Sequence, residues 1–269
     1  MKPCLFPVGF RPHGDKFIEM QLEELVPRAA AVGFEGMDLL SDHVDDYLER
    51  DGHDLTSLKA LFQAHAVAVP QVNAYRIEIF DAGAREAIWR NFRRCLDCAA
   101  ALGSTSVGAF IGLPRGIGKP ERLSPADWKD GTQQVAAMVA ECAAKGVVLA
   151  VGPHDGTLTD TIESIQRLKR EVGAASLKVF LDYGNLCLVG DDPIEAVDRL
   201  AQDTVLVRAF AYRAQEKRLV RLGEGDWDDR AVLARLREKG YDGPVSLKYA
   251  VTDGIWDILA HGATFIKSV

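Results

Sequence analysis

LKVFLDYGNLCLVGDDP, residues Leu177 to Pro193, begins as a short apolar run and stops at one acidic residue. Leu177, Val179, Phe180 and Leu181 have the composition of a parallel strand covered on both faces. Asp182 ends the run, Gly184 and Asn185 break it into a loop, and Asp191-Asp192-Pro193 reads as an N-cap with proline in the first turn of the next helix. Proteins built of alternating strands and helices place their chemistry at the carboxyl ends of such strands. The question for the remaining chain is what arrives beside Asp182.

Outward from this stretch one unit recurs: apolar strand, loop, amphipathic helix, glycine, next strand. Five helical patterns close on glycine, at Gly33, Gly103, Gly146, Gly173 and Gly240, and a strand-like run follows each within a few residues. Strands are expected over 3–8, 35–40, 67–73, 105–111, 147–151, 177–182, 204–210 and 245–249. Eight strands and eight helices predict a closed α/β architecture, one (β/α)8 TIM barrel over residues 1–269, with its site on the carboxyl face of the strands.

A length of 269 residues with 48% hydrophobic and 26% charged residues suits one domain with a substantial core, and no linker or low-complexity tract divides it. The amino-terminal MKPCLFPVGF is too short an apolar stretch for a signal peptide or membrane span, so a cytoplasmic location without a membrane partner is expected. A net charge of -7 with no basic stripe argues against nucleic acid as a partner. The five cysteines are an odd number among apolar neighbours, and the C-x-x-C of Cys95 and Cys98 lies inside a helical pattern, where packing is expected rather than redox work. The glycine- and proline-rich GLPRGIGKPERLSP (112–125) reads as a surface loop; it matches no nucleotide fingerprint, so no cofactor is expected.

Residues at the ends of the late strands should converge: Gly152 and His154, then Asp182 and Asn185, then Arg208, then Lys248. GFEGMDLL (33–40), LDYGNLCLVGDDPIEAV (181–197) and RLGEGDWDDRAVLARLREKGYDGPVSLKY (221–249) resemble, in order and spacing, the xylose-isomerase-like barrel family of sugar isomerases, epimerases and barrel-type AP endonucleases. The resemblance implies a metal site made of glutamate, aspartate, histidine and glutamate on strands five to eight. At the matching positions stand Gly152, Asp182, Arg208 and Lys248, and Asn185 replaces a frequent histidine, so no metal is expected. Asp182 contributes -1 and the two cations +2, which would repel a divalent ion. Arg208 and Lys248 are expected to fill the metal region with Asp182 as their shared partner.

On this reading Lys248, Asp182 and His154 carry the chemistry, and Arg208, Asn185, Arg213 and Asn73, at the end of strand three, bind the substrate. With Arg213, Lys217, Arg218 and Arg221 on the loop after strand seven, an anionic small molecule is the expected ligand. A homo-oligomer is compatible with the sequence. Each residue also has a plainer reading: Asp182 as a structural counter-ion, Arg208 pointing outward, His154 and Asn185 as turn residues. Lys248 is the hardest to explain away, because an unpaired ammonium buried in an apolar strand is costly. The residues are consistent with a metal-independent isomerase, epimerase or lyase acting on a keto-sugar, polyol or sugar acid by proton abstraction next to a carbonyl. The alternatives are a lysine Schiff-base lyase or aldolase and a non-catalytic binding barrel, with His154, Asp182, Lys248 and the basic cluster favouring an enzyme.

Overall fold

The computed structural model describes residues 1–12 and 17–269. Eight parallel strands close in chain order: β1 (Lys2–Phe6), β2 (Gly36–Leu40), β3 (Ala68–Ile77), β4 (Ser106–Ile111), β5 (Val148–Val151), β6 (Leu177–Asp182), β7 (Thr204–Ala209) and β8 (Pro244–Lys248). Because β1 pairs with both β8 and β2, the sheet has no free edge. Around it lie α1 (Leu22–Val32), α2 (Ser41–Leu48), α3 (Leu55–Ala64), α4 (Arg85–Leu102), α5 (Pro125–Ala144), α6 (Ile162–Val172), α7 (Tyr183–Val189), α8 (Pro193–Leu200), α9 (Asp229–Glu238) and α10 (Ile255–Ser268). This is a (β/α)8 TIM barrel.

Local chemistry explains the boundaries. Gly33, Gly103 and Gly173 cap α1, α4 and α6 in the left-handed conformation that glycine adopts without steric cost. Helix α6 starts at a capping box between Thr161 and Ser164 and buries Ile162, Ile165 and Leu168 against the barrel. Cys95 and Cys98 are packed inside α4, and burial pushes both thiols up to about 12, which leaves them as small hydrophobes.

Three segments depart from the sequence reading. The polar stretch 41–48, whose composition reads as a loop after strand two, and the stretch after Asp182 are helices α2 and α7. The segment after β7 is an antiparallel ribbon, Ala211–Arg213 against Arg218–Val220. Of GFRPHGD (9–15), expected as a loop, Phe10–Arg11 pair in parallel with Ile18–Glu19, and residues 13–15 lie outside the described residues. Among the described residues no helix is long and apolar enough to cross a membrane.

Candidate functional site

Strand alternation turns Asp38, Asp182, Arg208 and Lys248 into the barrel, where the four form two separate ion pairs. Lys248 Nζ lies 2.6 Å from Asp182 Oδ2, reaching past β7 to β6. Arg208 does not share that carboxylate, although the two residues are register neighbours. Its Nε and Nη2 lie 2.7 Å from Asp38 Oδ2, on β2 across the barrel. The expectation that Asp182 serves both cations is therefore corrected, as is the local charge of about +1: two carboxylates and two cations cancel. The reason is electrostatic, since two buried cations on adjacent strands repel unless each has its own counter-ion.

Arg208 is fully buried and points inward. Its guanidinium lies 3.7 Å from the ring centroid of Phe6 and 4.2 Å from that of Phe180, so its flat faces are covered by aromatic rings. Gln71 Nε2 donates to the other Asp38 oxygen at 3.1 Å, and Ser106 Oγ donates to Gln71 Oε1 at 3.1 Å, which extends the network across β2, β3 and β4. Burial raises the Asp38 carboxyl above its ordinary range, with Arg208 opposing.

Asn185 organises the second pair. Its Nδ2 donates to Asp182 Oδ2 at 3.1 Å and to the Pro153 carbonyl at 2.8 Å, its backbone N–H donates to Asp182 Oδ1, and its Oδ1 accepts from Lys248 Nζ at 2.8 Å. Every hydrogen-bonding group of its side chain is committed within the protein, which makes Asn185 a positioning residue. Burial lowers the Lys248 pKa and Arg208 adds to that, while Asp182 opposes both. Asp182 is inaccessible, whereas Lys248 keeps 17% of its side chain exposed, so the ammonium is the charge that this pair offers outward.

A cavity of about 180 Å³ opens above Lys248, walled by Phe6, Tyr75, Phe110, His154 and Phe210. The His154 Nδ1 lies 3.0 Å from the Asp155 carbonyl; a carbonyl only accepts, so Nδ1 carries the proton and Nε2 of the neutral ring is the free base. Asn73 is fully buried and lies outside this lining. Its Oδ1 accepts the Tyr75 N–H at 2.7 Å beside a bulge where Tyr75 adopts φ +58, which fixes the direction of the Tyr75 ring. Arg213 also lies outside the lining: it sits in the ribbon, bonded to Glu216 and to the Glu224 carbonyl. Glu216 pairs with Arg218 as well, so one carboxylate is shared by two of the four basic residues of this rim. A larger cavity of about 390 Å³ at the amino-terminal end of the barrel includes Cys4, whose thiol is raised far beyond its ordinary range by burial, so it offers no nucleophile.

The donor set at the positions that resemble the family's metal site does not fit a divalent cation. Gly152 has no donor, Arg208 and Lys248 bring positive charge, and both Asp182 oxygens are engaged by Asn185 and Lys248. Among the described residues no group of three or more His, Cys, Asp or Glu is placed to hold a metal. Phe180 also fills the space a ligand would need, since a Cβ on Gly152 would sit 1.9 Å from its ring. Gly152→Glu is accordingly expected to destabilise the protein by about 2–3 kcal/mol through overpacking, read by urea denaturation. Phe180→Ala should cost less on the Gly152→Glu background than on the wild type, because it removes the collision.

The segment GEGDWDD (223–229) has a structural reason. Asp229 is buried and accepts from the Tyr183 hydroxyl at 2.8 Å, the Gly223 N–H at 2.8 Å and Trp227 Nε1 at 3.0 Å, tying the segment after β7 to the residue next to Asp182. Burial pushes its carboxyl from 3.8 up to about 6 despite these donors. A carboxyl raised in the folded chain contributes stability that is present below its ordinary pKa and lost as pH rises through the folded value. The stability of the wild type minus that of Asp229→Asn should thus fall by roughly 2 kcal/mol between pH 4 and 7 in urea titrations.

Comparison with known proteins supports the assignment of the barrel. A Rhizobium meliloti protein, "Rhizopine catabolism protein MocC", is 30% identical over 141 residues, which is 52% of this chain and 43% of that protein, so the match spans less than half of its length. A Streptomyces coelicolor protein named "Putative hydroxypyruvate isomerase" is 25% identical over 256 residues, 88% of each chain. The crystal structure of the Bacillus anthracis protein described as the "probable 3-DHS dehydratase AsbF" superposes with a TM-score of 0.83 at 19% identity over 99% of both chains, a likeness of fold. The family model described as xylose isomerase-like TIM barrel matches residues 26–269, nearly the whole barrel, and this chain belongs to that family.

Proposed function

We propose that the protein is an isomerase or epimerase that abstracts a proton next to the carbonyl of a small substrate, and that it does so without a divalent metal. The observation that carries this reading is the Lys248–Asp182–Asn185 cluster at the metal position, with its ammonium facing a cavity that also holds His154. Lys248 donates to the substrate carbonyl oxygen and stabilises the negative charge that develops on it, the electrostatic task of a metal. His154 Nε2 takes the proton from the neighbouring carbon and returns it to the adjacent position or to the opposite face. Asp182 and Asn185 keep the ammonium oriented and charged. The ligand pole beside Lys248 is a carbonyl or carboxylate, and Arg208, already neutralised by Asp38, takes no part in binding it.

Turnover of a panel of keto-sugars, sugar acids and hydroxypyruvate, with protein exhaustively treated with chelator, tests the reading. Activity that survives chelation and is lost in His154→Ala supports it, and activity that appears only on adding Mg, Mn, Co or Zn ions refutes it. Burial of Lys248 among aromatic rings favours a second reading, a neutral amine that condenses with the carbonyl to an imine with loss of water. Borohydride reduction in the presence of substrate separates the two, because only the imine leaves a covalent adduct on Lys248.

A further inference from the structure

The walls of the mouth cavity specify more than a reaction class. Nine residues line it, and only Tyr75, His154 and Lys248 carry a polar side-chain atom. Two of the three ammonium hydrogens of Lys248 go to Asp182 and Asn185, and His154 Nδ1 goes to Asp155. Among the described residues, side chains therefore leave a ligand three hydrogen-bonding groups: one hydrogen on Lys248, the His154 Nε2 and the Tyr75 hydroxyl. The other walls are apolar, with the rings of Phe6, Phe110 and Phe210 joined by Leu219 and two small aliphatic residues. Phe110 meets Tyr75, His154 and Phe180 edge to face, at centroid separations of 5.9, 4.9 and 5.1 Å, so this wall is a fixed aromatic surface.

Resting on the proton-abstraction reading, we infer that the substrate is a hydroxyl-poor carbonyl compound with a flat unsaturated or aromatic ring and one carboxylate or carbonyl pole, rather than an open-chain sugar. A keto-hexose carries five hydroxyls besides its carbonyl, more than three side-chain partners can satisfy. Each hydroxyl buried without a partner lowers affinity by about tenfold or more. A planar ring packs among Phe110, Tyr75 and Phe210 and needs no such partners, while its single pole meets Lys248. The cavity is smaller than the roughly 300–1,000 Å³ of sites for drug-sized ligands, which limits the substrate to about one ring and one short polar arm.

Calorimetric titration of the chelated full-length protein tests this with phenylglyoxylate and phenylpyruvate against D-erythrulose and D-fructose. The aromatic keto acids are expected to bind at least tenfold more tightly than either sugar, and Lys248→Met to weaken them at least tenfold. Leu219→Asn, which adds a hydrogen-bonding group to one wall, should narrow the gap by raising sugar affinity. Equal or tighter binding of the sugars, or no binding of the keto acids, overturns the inference and leaves proton abstraction standing. Tight binding of the keto acids by a protein that turns over no carbonyl compound upholds the inference and removes the reaction.

Discussion

Lys248→Met is expected to lower kcat/KM by about 10²–10³-fold, the loss that follows removal of one preorganised donor from a developing oxyanion. Methionine keeps the length of the side chain and removes its charge, so Asp182 is left buried without its cation. An uncompensated buried charge costs about 3–5 kcal/mol. Urea denaturation of the variant beside the wild type at one pH measures this deficit. In the wild type, activity that depends on the ammonium falls as pH rises through the Lys248 pKa, and burial places that fall below the ordinary 10.5. A variant with unimpaired kinetics would reduce the pair to a structural filler.

Arg208→Met should lower stability by about 3–5 kcal/mol, because both partners of the Arg208–Asp38 pair are wholly buried and Asp38 would be left as an unpaired anion. Asp38→Asn alone should cost a similar amount by stranding the guanidinium. Combined, the two substitutions are expected to cost much less than their sum, since neither charge remains, and a double-mutant cycle in urea measures the difference. Additivity would mean that the two side chains do not depend on each other for charge compensation.

The barrel was legible because its signals are local and repeated: apolar runs of strand length, amphipathic helices, and glycine stops such as Gly33, Gly103 and Gly173. Helix α7 was hidden because YGNLCLV is too short to display a helical period, and Gly184 and Asn185 read as breakers. The polar α2, SDHVDDYL, resembles a loop for a similar reason. At the site, the Lys248–Asp182 pairing could be anticipated from residues at strand ends. The Arg208–Asp38 pairing joins positions 170 residues apart in sequence, and register says nothing about contacts across a barrel. A signal was nevertheless present, since Asp38 stands between Met37 and Leu39 in an apolar strand, as anomalous there as Lys248 is in its own. Arg213 was grouped with the site by nearness in sequence; it lies in the ribbon whose Leu219 lines the cavity and is not itself part of that lining.

The contact between Gly152 and Phe180 bears on how such a barrel could change its chemistry. Phe180 fills the volume that a ligand on residue 152 would use and also supports the guanidinium of Arg208, which in turn neutralises Asp38. A glutamate at 152 collides with the ring, a smaller residue at 180 uncovers Arg208, and a neutral residue at 208 strands Asp38. Each single step toward a metal-binding set is therefore a step down in stability, and the benefit arrives only when several have been taken together. The interior acts as a ratchet: once assembled, it resists single substitutions toward a metal-binding set.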